Sequence, residues 1–264
     1  MKLLYSKLLV EKIEKNITRA TARSSVPPAV TVLLVGNDAA SLAYVRQKER
    51  AALRLGCEFR VVHMPGSVSE KKVLASIASL NKNKRIHGVI VQLPLPRRLH
   101  TDHIVGAIAP HKDIDNLRSM GPFTSPAVLA IWHIMKKACL PKKNTSILII
   151  GHGRVIGKPV HEFLLKKGFS NIRVATKTTN NLSALTRRAR IVISAAGKAR
   201  LVTSVQNGAL VIDAGASRLA GRIVGDVDAT RIAKTAAILT PVPGGVGPLT
   251  VAYLFNNLVQ SRNK

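Results

Sequence analysis

Ser146-Ile147-Leu148-Ile149-Ile150-Gly151-His152-Gly153-Arg154-Val155-Ile156-Gly157-Lys158-Pro159 joins an apolar run to a glycine-rich turn and then to a helix start marked by proline. A strand that opens through such a turn into a helix lets backbone N–H groups and the helix N-terminus hold phosphates. Gly-x-Gly-x-x-x-Gly spacing alone is a weak signal and equally suits a tight βα turn with no ligand, so its surroundings matter. Downstream, a helix is expected at residues 159–167 and strands at 172–175, 191–194, 210–213 and 237–240. Upstream, strands are expected at 29–35, 59–63 and 88–92, with helices at 41–55 and 69–83. Between the two series, Val128, Ile131, Trp132, Ile134 and Met135 recur at helical spacing and mark a connecting helix over 126–138. Two alternating series of this kind predict an α/β protein with mainly parallel sheets and two domains.

Composition narrows the class. A chain of 264 residues can bury one large core or two modest ones. No apolar run approaches the roughly 20 residues of a membrane helix, and the charges spread through residues 1–17 suit an amphipathic surface helix better than a secretory core. A cytosolic location is the expectation. Cys57 and Cys139 lie far apart without metal-ligand spacing, so neither a disulfide framework nor a metal site is predicted. The charge is unusual: 41 basic against 13 acidic residues give +28, a field that attracts polyanions. Nucleic acid is the obvious suspect, but aromatic residues are only 3 %, the basic residues are scattered and no nucleic-acid module is present. A compositional bias explains the charge most simply, and capture of anionic ligands would follow as a by-product.

Three further segments carry chemistry. In Ser41-Leu42-Ala43-Tyr44-Val45-Arg46-Gln47-Lys48, Tyr44 and Lys48 are four apart and share a helix face. A lysine becomes a useful acid or base near neutrality only if burial or neighbouring cations lower its pKa, and Arg46 and Arg50 are close in sequence. From spacing alone a solvated helix carrying an aromatic and a lysine is the better reading. In Val91-Gln92-Leu93-Pro94-Leu95-Pro96, Gln92 closes an apolar strand whose continuation the prolines prevent. In Thr240-Pro241-Val242-Pro243-Gly244-Gly245-Val246-Gly247-Pro248-Leu249-Thr250, prolines fix φ while glycines open conformations closed to other residues, a shaped backbone between two packed elements.

Together these segments resemble the bifunctional methylenetetrahydrofolate dehydrogenase/cyclohydrolase family, and the similarity extends from Leu33-Leu34-Val35-Gly36-Asn37 to Asn256-Asn257. The resemblance implies a catalytic, folate-binding domain formed by residues 1–125 and 248–264, and a Rossmann-like dinucleotide-binding domain over 126–247. The last helix would return to the first domain, so that the chain links the domains twice around an active-site cleft. It implies Lys48 as the central catalytic group, Gln92 as its hydrogen-bond partner, Tyr44 as the ring that positions folate and Asp115 as the carboxylate that binds the pterin. Pro243, Gly244 and Gly245 would line the substrate site. Gly151, His152, Gly153, Arg154, Gly157, Lys177, Ala196 and Gly197 would hold the cofactor, with Asp213-Ala214-Gly215 and Gly225-Asp226-Val227-Asp228 in positioning roles or, for Asp226 and Asp228, capping the following helix. A homodimer formed through the cofactor domains, and tetrahydrofolate substrates that can be polyglutamylated, are also implied.

The chain departs from the family pattern in places. Asn116 stands where the family has glycine, and about a dozen residues are missing before Thr124-Ser125-Pro126, judged by the helix start at Pro126. The family's arginine after the first glycine is His152 here, and its serine after the second strand aligns with Lys177. An NAD site places an acid near that strand end, whereas this chain has Thr176-Lys177-Thr178-Thr179. NADP is therefore the expected cofactor, with NAD the second option. Two other readings stand beside the bifunctional enzyme: a chain that retains only one activity, and a basic nucleic-acid-binding protein on the same fold. Survival of Tyr44, Lys48, Gln92 and Asp115 together speaks against the latter.

Overall fold

A computed structural model describes residues 1–118, 121–138 and 141–262; Cys139 and residues 119 and 120, of the loop expected to be short, fall outside them. In chain order the elements are β1 (Lys2–Leu3), α1 (Lys7–Ala22), β2 (Ala29–Val35), α2 (Ala39–Arg54), β3 (Glu58–Met64), α3 (Glu70–Lys82), β4 (Gly88–Val91), α4 (Thr101–Gly106) and a single 3-10 turn, Pro110–Lys112. There follow α5 (Pro126–Ala138), β5 (Ile147–Ile150), α6 (Gly157–Lys166), β6 (Ile172–Ala175), α7 (Leu182–Thr186), β7 (Ile191–Ser194), β8 (Leu210–Asp213), β9 (Ser217–Leu219), β10 (Arg222–Val224), α8 (Ala229–Ile232), β11 (Ile238–Leu239) and α9 (Val246–Ser261). Two compact units result: Glu11–Pro126 with Val251–Lys264, and Met1–Val10 with Ala127–Thr250.

The first unit is built on a parallel sheet of order β3-β2-β4. All of β2 is buried, as a parallel strand covered on both faces should be. Leu33, Val35, Val89 and Val91 of the sheet form one core with Val73 and Ile77 of α3 and with Ile104 and Ile108 beyond, and full burial of each such side chain contributes ~1.5–3 kcal/mol. Asp38 caps α2 by accepting from the Ser41 N–H at 2.7 Å. At the other end of α3, Lys112 Nζ donates to the carbonyls of Leu80, Asn81 and Asn83 at 2.9, 2.8 and 2.8 Å, the orphan acceptors a helix leaves at its C-terminus. Asn81 adds two bonds from its side chain, to Ala107 O and from Ala109 N. The loop that follows Lys112 is held from α9, where Asn257 Nδ2 donates to the carbonyls of Ile114 and Thr124.

The second unit contains a six-stranded parallel sheet, β1-β11-β8-β7-β5-β6, plus an antiparallel hairpin of β9 and β10. β5 pairs with β6 on one side and β7 on the other, so the strand order reverses there. In doubly wound sheets ligands bind beyond the carboxyl ends of the strands at such a switch point.

The expected surface helix at the start of the chain is preceded by a strand. β1 pairs with β11, and the N–H groups of Lys2, Leu4 and Ser6 donate to the carbonyls of Ala237, Leu239 and Gly244. The first ten residues therefore group with the second unit, and the chain passes between units three times where two links were expected. Helices α6 and α9 begin at Gly157 and Val246, two residues ahead of Pro159 and Pro248; both prolines sit in a first turn, where the missing N–H has no intrahelical partner to lose.

Candidate functional site

On α2, Ser41, Tyr44 and Lys48 follow one another at spacings of three and four and so lie along one face. Lys48 is only 3 % exposed. Its Nζ donates to Gln92 Oε1 at 3.2 Å and sits 4.6 Å from the centre of the Tyr44 ring. Gln92 extends the ladder beyond β4, its N–H donating to Leu33 O, while its Nε2 donates to Leu93 O at 2.8 Å. That second bond fixes the amide so that an acceptor faces the lysine. Burial lowers the Lys48 pKa and the charge of Asp115 opposes it. The Asp115 carboxyl is raised by burial, against the lysine's charge, and the Tyr44 hydroxyl is raised by burial and then by Asp115. The arginines expected to lower the lysine's pKa do not do so: Arg46 and Arg50 are exposed, and burial is the cause.

Two neighbours complete this region. Asp113 is fully buried and accepts from the N–H groups of Leu117 and Arg118 at 3.1 and 2.9 Å, so it shapes the loop that carries Asp115. Burial pushes its pKa up to about 6. Ser41 is 4 % exposed, and its Oγ has no hydrogen-bond partner among the described residues. Sequence reading passed over it, although its spacing to Tyr44 and Lys48 was visible.

In the second unit the turn after β5 is a stack of close backbone approaches. Gly151 has φ +87°, and a Cβ there would lie 2.5 Å from Ala195 O; a Cβ on Gly157 would lie 1.9 Å from Gly151 O. No side chain fits at either position, which leaves an open cradle beside the start of α6. His152, Gly153 and Arg154 are exposed on this turn. His152 Nε2 is 3.3 Å from Nδ1 of His161, whose pKa is lowered by burial and then by the charge of His152. Ile150 pairs with Ala175, so His152 and Lys177 each lie two residues beyond a paired strand end. Lys177 is exposed within a turn closed by Thr176 N donating to Thr179 Oγ1. Ala196 and Gly197 are exposed on the loop that leaves β7. Exposed donors and cations at adjacent strand ends, around a cradle of bare backbone, suit the phosphates of a dinucleotide.

Pro243, Gly244 and Gly245 form the turn between β11 and α9 in the same unit, whereas Tyr44, Lys48, Gln92 and Asp115 belong to the other. Gly244 has φ +106°, and its carbonyl accepts from both the N–H and the Oγ of Ser6, at 2.9 and 3.1 Å. A Cβ on Gly245 would lie 2.6 Å from Pro241 O.

The motifs that follow β8 and β10 are also placed. Asp228 caps α8 by accepting from Arg231 N at 3.2 Å. Asp226 does not cap that helix; its carboxylate turns into the protein, where it is fully buried. Asp213 is also buried, and burial followed by opposing backbone hydrogen bonds sets its pKa at about 6.

A doubly wound sheet with a glycine turn at its switch point defines a dinucleotide-binding α/β protein, here joined to a unit that carries a buried helix lysine held by a glutamine at a strand end. The chain belongs to the tetrahydrofolate dehydrogenase/cyclohydrolase family: residues 4–115 match that family's catalytic domain and residues 125–264 its NAD(P)-binding domain. The Bifunctional protein FolD of Nitrosomonas europaea is 37 % identical over 262 residues, covering 95 % of this chain and 88 % of that protein. Its counterpart in Aquifex aeolicus is 37 % identical over 268 residues, covering 97 % and 92 %. The solved structure of FolD from Campylobacter jejuni superposes with a TM-score of 0.92 at 33 % identity, over 100 % of this chain and 99 % of that one. The Trypanosoma brucei enzyme, solved with NADP cofactor and inhibitor, gives a TM-score of 0.91 at 28 % identity over 99 % and 97 %.

Proposed function

We propose that this protein oxidises 5,10-methylenetetrahydrofolate to the 5,10-methenyl compound with NADP and hydrolyses that product to 10-formyltetrahydrofolate. The observation that carries the reading is Lys48: buried, lowered in pKa, and held on the acceptor oxygen of Gln92 at 3.2 Å. A lysine in that state can hold a proton or give it up within one catalytic cycle.

In the hydrolytic step, water adds to the one-carbon bridge between N5 and N10 as neutral Lys48 accepts one of its protons. The carbinolamine then loses its hydroxyl proton, the bond from carbon to N5 breaks, and N5 takes a proton from the Lys48 ammonium. One proton is released overall, and the carbon remains on N10 as a formyl group. Gln92 holds the lysine in place through both transfers. Tyr44 offers its ring to the folate, and Asp115 accepts two parallel N–H bonds from the 2-amino-4-oxo pyrimidine edge.

NADP, when bound, accepts the hydride at nicotinamide C4. The protein's part in that step is orientation, with no side chain required as nucleophile. Gly151 and Gly157 keep the phosphate cradle open, and Ala196 and Gly197 border it. Lys177 and its flanking threonines stand where an NAD site would place an acid, which supports NADP, as does the cofactor of the Trypanosoma brucei relative. The family likeness further supports a cytosolic homodimer formed through the cofactor units, acting on folates that include polyglutamylated forms. Among the described residues no helix is long and apolar enough to cross a membrane.

The test supplies 5,10-methylenetetrahydrofolate with NADP or NAD and follows methenyl and reduced-cofactor absorbance, with Lys48→Met alongside. NADPH formation without lasting methenyl signal in the parent, and methenyl accumulation in the variant, are expected. Persistent methenyl product in the parent would reduce the assignment to a dehydrogenase alone.

A further inference from the structure

The carboxylate of Asp226, fully buried, gathers four donors from one strand end and the loop beyond it. Oδ2 accepts from Ser194 Oγ at 2.8 Å, Ala196 N at 2.7 Å and Gly197 N at 3.3 Å; Oδ1 accepts from Lys198 N at 2.8 Å. These donors are all neutral, and three are consecutive backbone N–H groups. A loop whose N–H groups converge in this way forms a concave anion nest, and here the anion is part of the protein. The same loop packs on the glycine turn: the positions a Cβ would take on Gly151 lie 2.5 Å from Ala195 O and 3.0 Å from Ala196 Cα.

The arrangement is reciprocal with a second carboxylate. Asp213, at the end of β8, accepts from Gly215 N and Asp226 N through Oδ1, at 3.0 and 3.1 Å, and from Val227 N through Oδ2 at 2.9 Å. Each aspartate occupies space that the other motif's glycine leaves: a Cβ on Gly215 would lie 2.0 Å from Asp226 Oδ1, and one on Gly225 would lie 1.9 Å from Asp213 Oδ2. Asp213-Ala214-Gly215 and Gly225-Asp226 are thus two halves of one lock, each contributing an acid and the room for the other's.

We propose that Asp226 is the positioning residue of the cofactor site: its buried carboxylate fixes the loop from Ala195 to Lys198 against the glycine turn, so that this loop is preformed for the dinucleotide. Asp226 works through the loop and has no contact with the reacting atoms to make. The inference rests on the assignment of the second unit as the NADP site.

Asp226→Asn keeps the shape but turns an amide N–H₂ toward donors that need an acceptor, leaving at least one unsatisfied. With the parent as reference, KM and Kd for NADP are expected to rise about 30-fold, taking ~2 kcal/mol for a buried bond to a charged acceptor. Hydrolysis of added methenyltetrahydrofolate, which needs no dinucleotide, is expected to stay within about two-fold. Amide hydrogen exchange should quicken at residues 196–198 while residues 191–194 of β7 stay protected. Ser194→Ala removes one of the four donors and leaves the carboxylate in place, so it should raise KM for NADP by a smaller factor with the same selectivity; it carries the test should Asp226→Asn not fold. Unchanged NADP affinity, or equal loss of both activities without a local change in exchange, would overturn the positioning role. A parent protein that neither binds nor reduces NADP would instead overturn the cofactor assignment.

Discussion

In the first unit the candidate site is made of side chains withdrawn from water: Lys48 and Gln92 are 3 % and 7 % exposed, and Lys48 Nζ donates to Gln92 Oε1 at 3.2 Å. In the second, the turn over residues 151–157 presents bare backbone, and the side chains of His152 and Arg154 on it, with Lys177 at the adjacent strand end, are exposed. On the proposed function, the first site depends on a protonation state, which burial controls, and the second on shape, which the lack of a Cβ controls. Substitutions should therefore fail differently in the two places, by lost proton transfer in one and by lost fit in the other.

The largest expected effect is that of Lys48→Met. Hydrolysis should fall by about 10³-fold, within the range for a positioned acid–base group, while NADP Kd measured by titration stays unchanged. A parallel loss of NADP affinity would break the contrast between the sites.

Gly157→Ala should act in reverse. Its Cβ would lie 1.9 Å from a backbone oxygen, and relief of that overlap, at ~2 kcal/mol of overpacking, should weaken NADP by about 30-fold. The melting temperature should drop, and hydrolysis measured without dinucleotide should persist.

A pH profile sharpens the side-chain half of the comparison. With Lys48 as the base, hydrolysis rises as pH climbs through the lysine's folded-state pKa, a limb that burial moves below the ordinary lysine range. Asp115 opposes this by favouring the ammonium, so Asp115→Asn should move the limb of kcat to still lower pH. A shift to higher pH would show that another group governs the step.

The smallest effect tests the exposed half. A guanidinium offers a phosphate two parallel N–H donors and a fixed positive charge, which an imidazole cannot match. His152→Arg should tighten NADP about five-fold, ~1 kcal/mol, measured by titration. No gain would mean that the backbone cradle, and not the side chain at this position, decides the affinity.

Most of the sheet framework was legible in the sequence, because β2, β5, β7 and β8 are predominantly apolar runs buried at every position. What escaped was either short or tertiary. β1 is two residues long and owes its existence to β11, 236 positions away by register; nothing local marks it as a strand. The hairpin of β9 and β10 and the helices α4 and α7 are too brief to show a period. Tyr44, Lys48 and Gln92 could be named because they sit in recognisable segments, and the structure brings the three together. The unpartnered hydroxyl of Ser41 and the inward turn of Asp226 could not, since both depend on what surrounds a side chain and not on what neighbours it in the chain. Asp226 and Asp228, two residues apart, look interchangeable as letters, yet one caps a helix and the other holds a loop.

Lys112 bears on the loop that follows Asp115. Its ammonium fixes the chain to the end of α3 three residues before Asp115, and Asn257 adds a second fastening at Ile114, immediately before the carboxylate. The stretch where residues were expected to be missing lies after both, so a change of length there would leave the delivery of Asp115 to these two fastenings. The three-carbonyl anchor suits lysine: a compact ammonium points its three donors at three carbonyls that converge on one atom, Nζ.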